Sequence, residues 1–136
     1  LSYYIIPVGL FWDKRMLSAR RNKFGRTMRL VTQREFDRVF AEGRRFRVNG
    51  LTVMRAANDR GRPRLGISIS RRFGTAPERN RMKRRLREAF RLVQHDLGAY
   101  DLVAIPYREA LGFSVREVQA ILEKIGGMAG RVSTNQ

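Results

Sequence analysis

"GISISRRFGTAPERNRMKRRLREAF", residues 66–90, changes its period halfway through. Up to Ser70 the apolar residues alternate: Leu65, Ile67 and Ile69 fall against Gly66, Ser68 and Ser70, the pattern of a half-buried strand. Beyond Thr75 they recur at three and four, as in a helix. The switch carries its own start signal, Thr75-Ala76-Pro77-Glu78. The threonine hydroxyl can accept from the third-position N–H while the glutamate reaches back to the cap's own N–H. Pro77 falls in the first turn, where its missing N–H costs little. A strand, a tight basic loop and a helix running to about Leu97 are therefore expected.

On a helical wheel Met82, Leu86, Ala89, Phe90 and Val93 share one side. Asn80, Arg84, Arg87 and Arg91 lie opposite, with Lys83 on one flank and Arg81 and Arg85 on the other. Arg71 and Arg72 arrive one loop earlier. Between residues 71 and 91 nine basic side chains meet two acidic ones, Glu78 and Glu88. Ordinary solvated helix faces mix signs, and this one barely does. Only Glu88 offers an intrahelical partner, to Arg84, Arg85 or Arg91. An anionic partner, bound through phosphates, outweighs a merely solvated face.

Outward from this stretch, two more helices open with the same device, Thr32-Gln33-Arg34-Glu35 and Ser114-Val115-Arg116-Glu117. The first should run to Glu42 and stop at Gly43, with Phe36, Val39 and Phe40 on one face. The last should run to Ile125, burying Val115, Val118, Ile121, Leu122 and Ile125, and end at Gly126-Gly127. Val31 with Phe36, and Phe113 with Val118, could form hydrophobic staples. Residues 50–56 and 100–107 read as strands, the latter more continuously apolar and so central. Phe46–Val48 adds a short one. The order is an α+β sandwich, α-β-β-(β)-α-β-α, with helices on a small sheet.

The chain of 136 residues suits one domain, and its 43% apolar content supports a core. It carries 29 Lys and Arg against 12 Asp and Glu, a net charge of +17. Such a field favours polyanions, and the excess of arginine over lysine favours nucleic-acid phosphate over a membrane surface. The chain has no cysteine, which excludes disulfides and Cys-based zinc sites. Residues 1–12, "LSYYIIPVGLFW", are apolar but too short to span a bilayer. Residues 1–28 read as an extension, with Met16 and Met28 as alternative starts, and residues 129–136 as a tail.

The acids are scattered, three of them used as helix caps, and His95 is the only histidine, near the end of the basic helix. No nucleophile–base set, P-loop or HExxH motif occurs. No catalytic residue and no intrinsic metal site are therefore assigned to this chain.

The quoted stretch closely resembles the signature region of the bacterial ribonuclease P protein component. Its core is Arg79-Asn80-Arg81, followed by Lys83-Arg84 and Arg87. "EFDRVFAEG" resembles that family's first helix and "YDLVAIPY" its later strand, so the resemblance covers about Arg29 to Ile125. It implies an α-β-β-β-α-β-α sandwich, of a kind shared with a small-subunit ribosomal protein domain, with an unusual left-handed βαβ crossover, over residues 29–128. General topology rules would have favoured the right hand.

It further implies a cytoplasmic accessory subunit, one per catalytic RNA. That RNA removes the 5′ leader of precursor tRNA using Mg2+ held mainly by the RNA. Arg71, Arg72, Arg79, Asn80, Arg81, Lys83, Arg84 and Arg87 would contact the RNA subunit. Phe36, Phe40, Met54, Lys83 and Arg87 would line a cleft for the single-stranded leader. Read without the resemblance, Phe36 and Phe40 would both be core. The alternative function is a non-catalytic RNA-binding module such as a ribosomal protein or RNA chaperone.

Overall fold

A computed structural model describes residues 25–127. Helix α1 (Gln33–Glu42) is followed by strands β1 (Arg44–Val48), β2 (Leu51–Ala57) and β3 (Arg64–Ile67). Helix α2 (Ala76–Val93), strand β4 (Tyr100–Pro106) and helix α3 (Val115–Gly127) complete the expected α-β-β-β-α-β-α order. The four strands form one sheet in the order β1-β2-β4-β3. β1–β2 and β2–β4 are antiparallel, whereas β3 and β4 are parallel, so α2 is a crossover connection between neighbours.

All three capping boxes form. Thr32 and Thr75 cap α1 and α2 in full reciprocal geometry. Ser114 Oγ accepts from the Glu117 N–H (3.1 Å) while Glu117 Oε1 accepts from the Ser114 N–H (2.8 Å). The staple expected of Val31 is not made, since that side chain is 67% exposed.

Alternation along the strands sorts the core into two layers. Phe46, Leu51, Val53, Leu65, Leu102 and Ala104 face α2 and α3 and join Met82, Leu86, Phe90, Val118 and Leu122 in the main cluster. On the other face α1 lies over a smaller cluster of Leu30, Val39, Ala56 and Val103, edged by Phe36, Met54 and Ile105. Leu30 enters by pairing: its N–H donates to the Leu65 carbonyl, next to a parallel bridge between Arg29 and Leu65. Met28 packs against the main cluster, so the fold takes in part of the segment read as an extension. Residues 1–24 and 128–136 lie outside the described residues.

Some boundaries moved. α2 stops at Val93 and tightens into a 3-10 turn over Gln94–Asp96, short of Leu97. β3 ends at Ile67, although the Ser68 N–H still donates to Ala104. Gly126 and Gly127 are the last turn of α3 rather than its stop. Gly126 sits against Leu97, where a Cβ would come within 2.5 Å of a leucine methyl. Among the described residues no helix is long and apolar enough to cross a membrane.

Candidate nucleic-acid interface

The 3-10 turn Arg71–Phe73 buries Phe73 in the main cluster and leaves Arg71 and Arg72 outside. Helix α2 then starts on its Thr75 cap and seats its stripe fully. Met82, Leu86, Ala89, Phe90 and Val93 are all buried, as the wheel requires. Asn80, Arg81, Arg84 and Arg87 are exposed, and Lys83 is half-buried on the flank.

Both acids of this stretch are already engaged. Glu78 Oε1 accepts from Arg108 Nη1 (2.8 Å) and from the Thr75 N–H (2.9 Å), and these bonds hold its carboxyl below the usual range. Glu88 accepts from Arg91 Nε (3.0 Å) and Nη2 (2.6 Å), with the same effect on its carboxyl. Two of the arginines serve the fold. Arg79 Nη1 donates to the Gly74 carbonyl (2.8 Å). Arg85 Nη1 donates to Leu111 (2.6 Å) and Phe113 (3.2 Å), tying α2 to the loop before α3. Carbonyls do not cancel a cation, so both keep their charge.

Arg71, Arg72, Arg81, Lys83, Arg84 and Arg87 make no side-chain hydrogen bond or ion pair with any described residue. Among the described residues nothing offsets their charges. At the surface, like charges this dense repel one another until an anion intervenes. The N-terminal half of α2 adds its own partial positive charge.

The second predicted surface divides. Phe36 is packed, its ring resting on Gly66 of β3. Phe40, one turn on, is 42% exposed. Met54 is half-buried at the edge of the small cluster, on the same face of the sheet as Phe36. Lys83 and Arg87 belong to α2, whose apolar stripe packs on the opposite face. No described contact joins them to Phe36, Phe40 or Met54. The structure thus brings Phe36 and Met54 to one face of the sheet and seats the helix that carries Lys83 and Arg87 on the other.

Sequence reasoning missed what surrounds Met54 on that face. Arg47 places its guanidinium 4.9 Å from the centre of the Tyr107 ring. The Thr52 hydroxyl beside the phenol, then Arg45, and the charges of Arg45 and Arg47 hold the Tyr107 hydroxyl below its usual pKa. The available signal was the polar alternation Arg45–Arg47 along a strand too short to be read with assurance.

It also missed a buried ionic cluster. Asp101 is fully buried at the start of β4. It accepts from Arg64 Nε (2.9 Å) and Nη2 (2.8 Å), from Arg38 Nη2 (2.6 Å) and from Asn58 Nδ2 (2.8 Å). Burial pushes its pKa up, but these donors outweigh burial and leave the carboxyl below its ordinary value. Among the described residues no group of three or more His, Cys, Asp or Glu could hold a metal ion. His95 lies exposed in the turn after α2.

A small α+β sheet protein whose crossover helix exposes unpaired cations defines a class, one whose surface suits a polyanion, and among the described residues no metal-ligating cluster accompanies it. Comparison with known proteins makes the class particular. Residues 24–130 match the family model described as Ribonuclease P. The ribonuclease P protein component of Photobacterium profundum is 39% identical over 111 residues, covering 81% of this chain and 94% of that protein. That of Cronobacter sakazakii is 37% identical over 103 residues, 75% of this chain and 87% of the other. Among solved structures, the Thermotoga maritima RNase P protein superposes with a TM-score of 0.64 at 30% identity, covering 73% of this chain and 98% of that one. The Staphylococcus aureus RNase P protein gives 0.66 at 27% identity, covering 74% and 95%. The chain belongs to the ribonuclease P protein family, a protein component of a ribonucleoprotein endoribonuclease.

Proposed function

We propose that this chain binds the catalytic RNA of ribonuclease P through α2 and the 5′ leader of precursor tRNA through the sheet face under α1. The observation that carries the reading is the set of unpaired cations, Arg71, Arg72, Arg81, Lys83, Arg84 and Arg87, beside a helix whose acids are all engaged. Arginine forks suit phosphate oxygens, and such contacts hold an RNA in position without reading its bases. Arg79 and Asn80 complete the contact at the start of the helix.

On the other face Phe40 offers an exposed ring on which a leader base can stack, with Phe36 fixing the helix that presents it and Met54 forming the floor. Stacking of this kind tolerates any base and contributes about 1–3 kcal/mol each. Lys83 and Arg87 act at the RNA-subunit surface in this reading, and reach the leader only if it continues around the β3 edge.

The chemistry belongs to the RNA, with Mg2+ held there as the source of activated water. This chain contributes binding and orientation. One protein per RNA and a cytoplasmic site of action accompany that role.

Reconstitution tests it. The RNA subunit from the same organism is assayed on precursor tRNA with and without this chain. Stimulation at low magnesium, with tighter binding of leader-bearing than of mature tRNA, is expected. Cleavage by the RNA-free protein, or equal affinity for the two tRNAs, contradicts the reading.

A further inference from the structure

The α2 ridge is not the only cationic feature. A cavity of about 440 Å³ opens at the other end of β3, lined by Thr27, Arg29, Thr32, Arg60, Arg62 and Arg64, with Glu35 as its only carboxylate. Arg64 is seven residues before Arg71, so the two features stand no more than about 25 Å apart along the strand.

Glu35 does not neutralise this cavity. Its Oε1 accepts from the Val31 N–H (2.7 Å) and the Thr32 N–H (3.0 Å), and its Oε2 from Arg64 Nη1 (3.0 Å). Arg64 is in turn held by buried Asp101. What remains uncompensated is Arg60, whose side chain bonds no described residue, and Arg62, which reaches only the Thr27 hydroxyl at 3.3 Å. Asp59, on the same turn, does not line this cavity but the adjoining depression, which Arg60 and Arg64 share with Arg38 and Asp101; no ion pair joins Asp59 to Arg60.

The turn bearing these arginines is preorganised. Gly61, at φ +77°, takes the left-handed conformation that lets Arg60 and Arg62 flank the bend. Asn58 clamps both. Its Oδ1 accepts from the Arg60 N–H (2.9 Å), and its Nδ2 donates to the Arg62 carbonyl (3.1 Å) and to Asp101 Oδ1 (2.8 Å). The buried carboxylate thus orients Arg64 directly and the Arg60–Arg62 turn through Asn58. Anchored donors around a concave site lower the ordering cost of binding an anion.

We propose that this cavity is a second phosphate site, separate from α2, that takes a backbone phosphate of RNA between Arg60 and Arg62. It rests on the RNA-binding role proposed above, and gives the chain two grips on RNA at opposite ends of β3. Asn58 is a positioning residue for it.

The test compares the salt dependence of RNA affinity for the full chain, an Arg60→Gln/Arg62→Gln double variant and an Arg84→Gln/Arg87→Gln double variant. All are checked for an unchanged thermal melt, since the four side chains are exposed. Each lost phosphate contact flattens the plot of log K against log salt by about 0.7–0.9. The inference expects both double variants to be flatter than the parent. If only the α2 variant flattens, the second site is wrong while the RNA-binding role stands. If neither does, both fall. Replacing chloride by inorganic phosphate at constant ionic strength separates the sources. Free phosphate should weaken RNA binding by the parent more than by the Arg60→Gln/Arg62→Gln variant. A site that fills with free phosphate, seen as shifts in the Arg60 and Arg62 side-chain resonances, without weakening RNA binding overturns the proposal.

Discussion

The ring of Phe36 lies on Gly66, so close that a Cβ there would sit 2.7 Å from the ring's Cζ. A helix and a strand meet at the one position where the strand carries no side chain. That contact fixes the roll of α1 on the sheet and so decides that Phe40 turns outward.

Gly66→Ala should therefore destabilise the protein by about 1–3 kcal/mol, the usual range for overfilling a packed contact. The midpoint of urea unfolding measures it. A midpoint equal to the parent's would mean that the ring can slide aside.

Phe36 and Phe40 should separate stability from leader binding. Phe36→Ala is expected to lower the free energy of unfolding by about 2 kcal/mol or more. Phe40→Ala should cost under about 1 kcal/mol, because 42% of the residue is already exposed, yet reduce the preference for leader-bearing tRNA. Thermal melts alongside binding to precursor and mature tRNA distinguish the two. An unfolded Phe40→Ala protein would return that residue to the core.

Along α2, neighbouring arginines should behave differently. Arg84→Ala or Arg87→Ala should leave the melting temperature unchanged and flatten the salt dependence of RNA binding by about one unit per phosphate contact. Arg85→Ala should lower stability by about 1–3 kcal/mol, since it strips the Leu111 and Phe113 carbonyls of their donor. Charge composition alone would rank the three alike.

Acid should unfold the chain by releasing Asp101, Glu35 and Glu88. All three have folded pKa values below their ordinary ones. Such a group stabilises fully above its unfolded pKa, near 3.8 for Asp101 and 4.5 for the glutamates. That stability is lost as pH falls from about those values through the lower folded ones. Denaturant midpoints measured from pH 7 down to pH 2 should fall most steeply below about pH 4. Asp101→Asn should cost about 3–5 kcal/mol at pH 7, because Arg64 and Arg38 then lose their buried counter-charge and keep only the less buried Glu35 and Glu42, and should flatten the acid limb. An unaltered acid limb in that variant would place the sensitivity elsewhere.

Local rules made the fold legible. Three capping boxes and the switch from period two to period three-and-a-half located the three α-helices and the strand before α2, whereas the crossover around α2 came from the family resemblance alone. They resolved the buried stripe of α2 residue by residue, though not its end, because a stripe as regular as Met82, Leu86, Ala89, Phe90, Val93 leaves one way to seat it. What stayed hidden depended on partners distant in sequence. Asp101 and Arg64 are 37 positions apart, and neither is unusual where it stands. The placing of Lys83 and Arg87 away from Phe36 follows from which face of the sheet each helix covers. Strand alternation does not reveal that until the strand order is known.

Arg55 shows what such long links do to the molecule as a whole. The residue is 5% exposed, and its guanidinium sits 4.3 Å from the Tyr100 ring centre and 5.0 Å from that of Phe46 and donates to the Ile125 carbonyl at 2.7 Å. A charged group in the middle of β2 is therefore satisfied by the far end of α3. During synthesis the Phe46 and Tyr100 rings emerge before the Ile125 carbonyl, which reaches this cation only with the closing helix. A chain cut short before Ile125 therefore lacks a backbone acceptor that ties the middle of β2 to the last turns of α3.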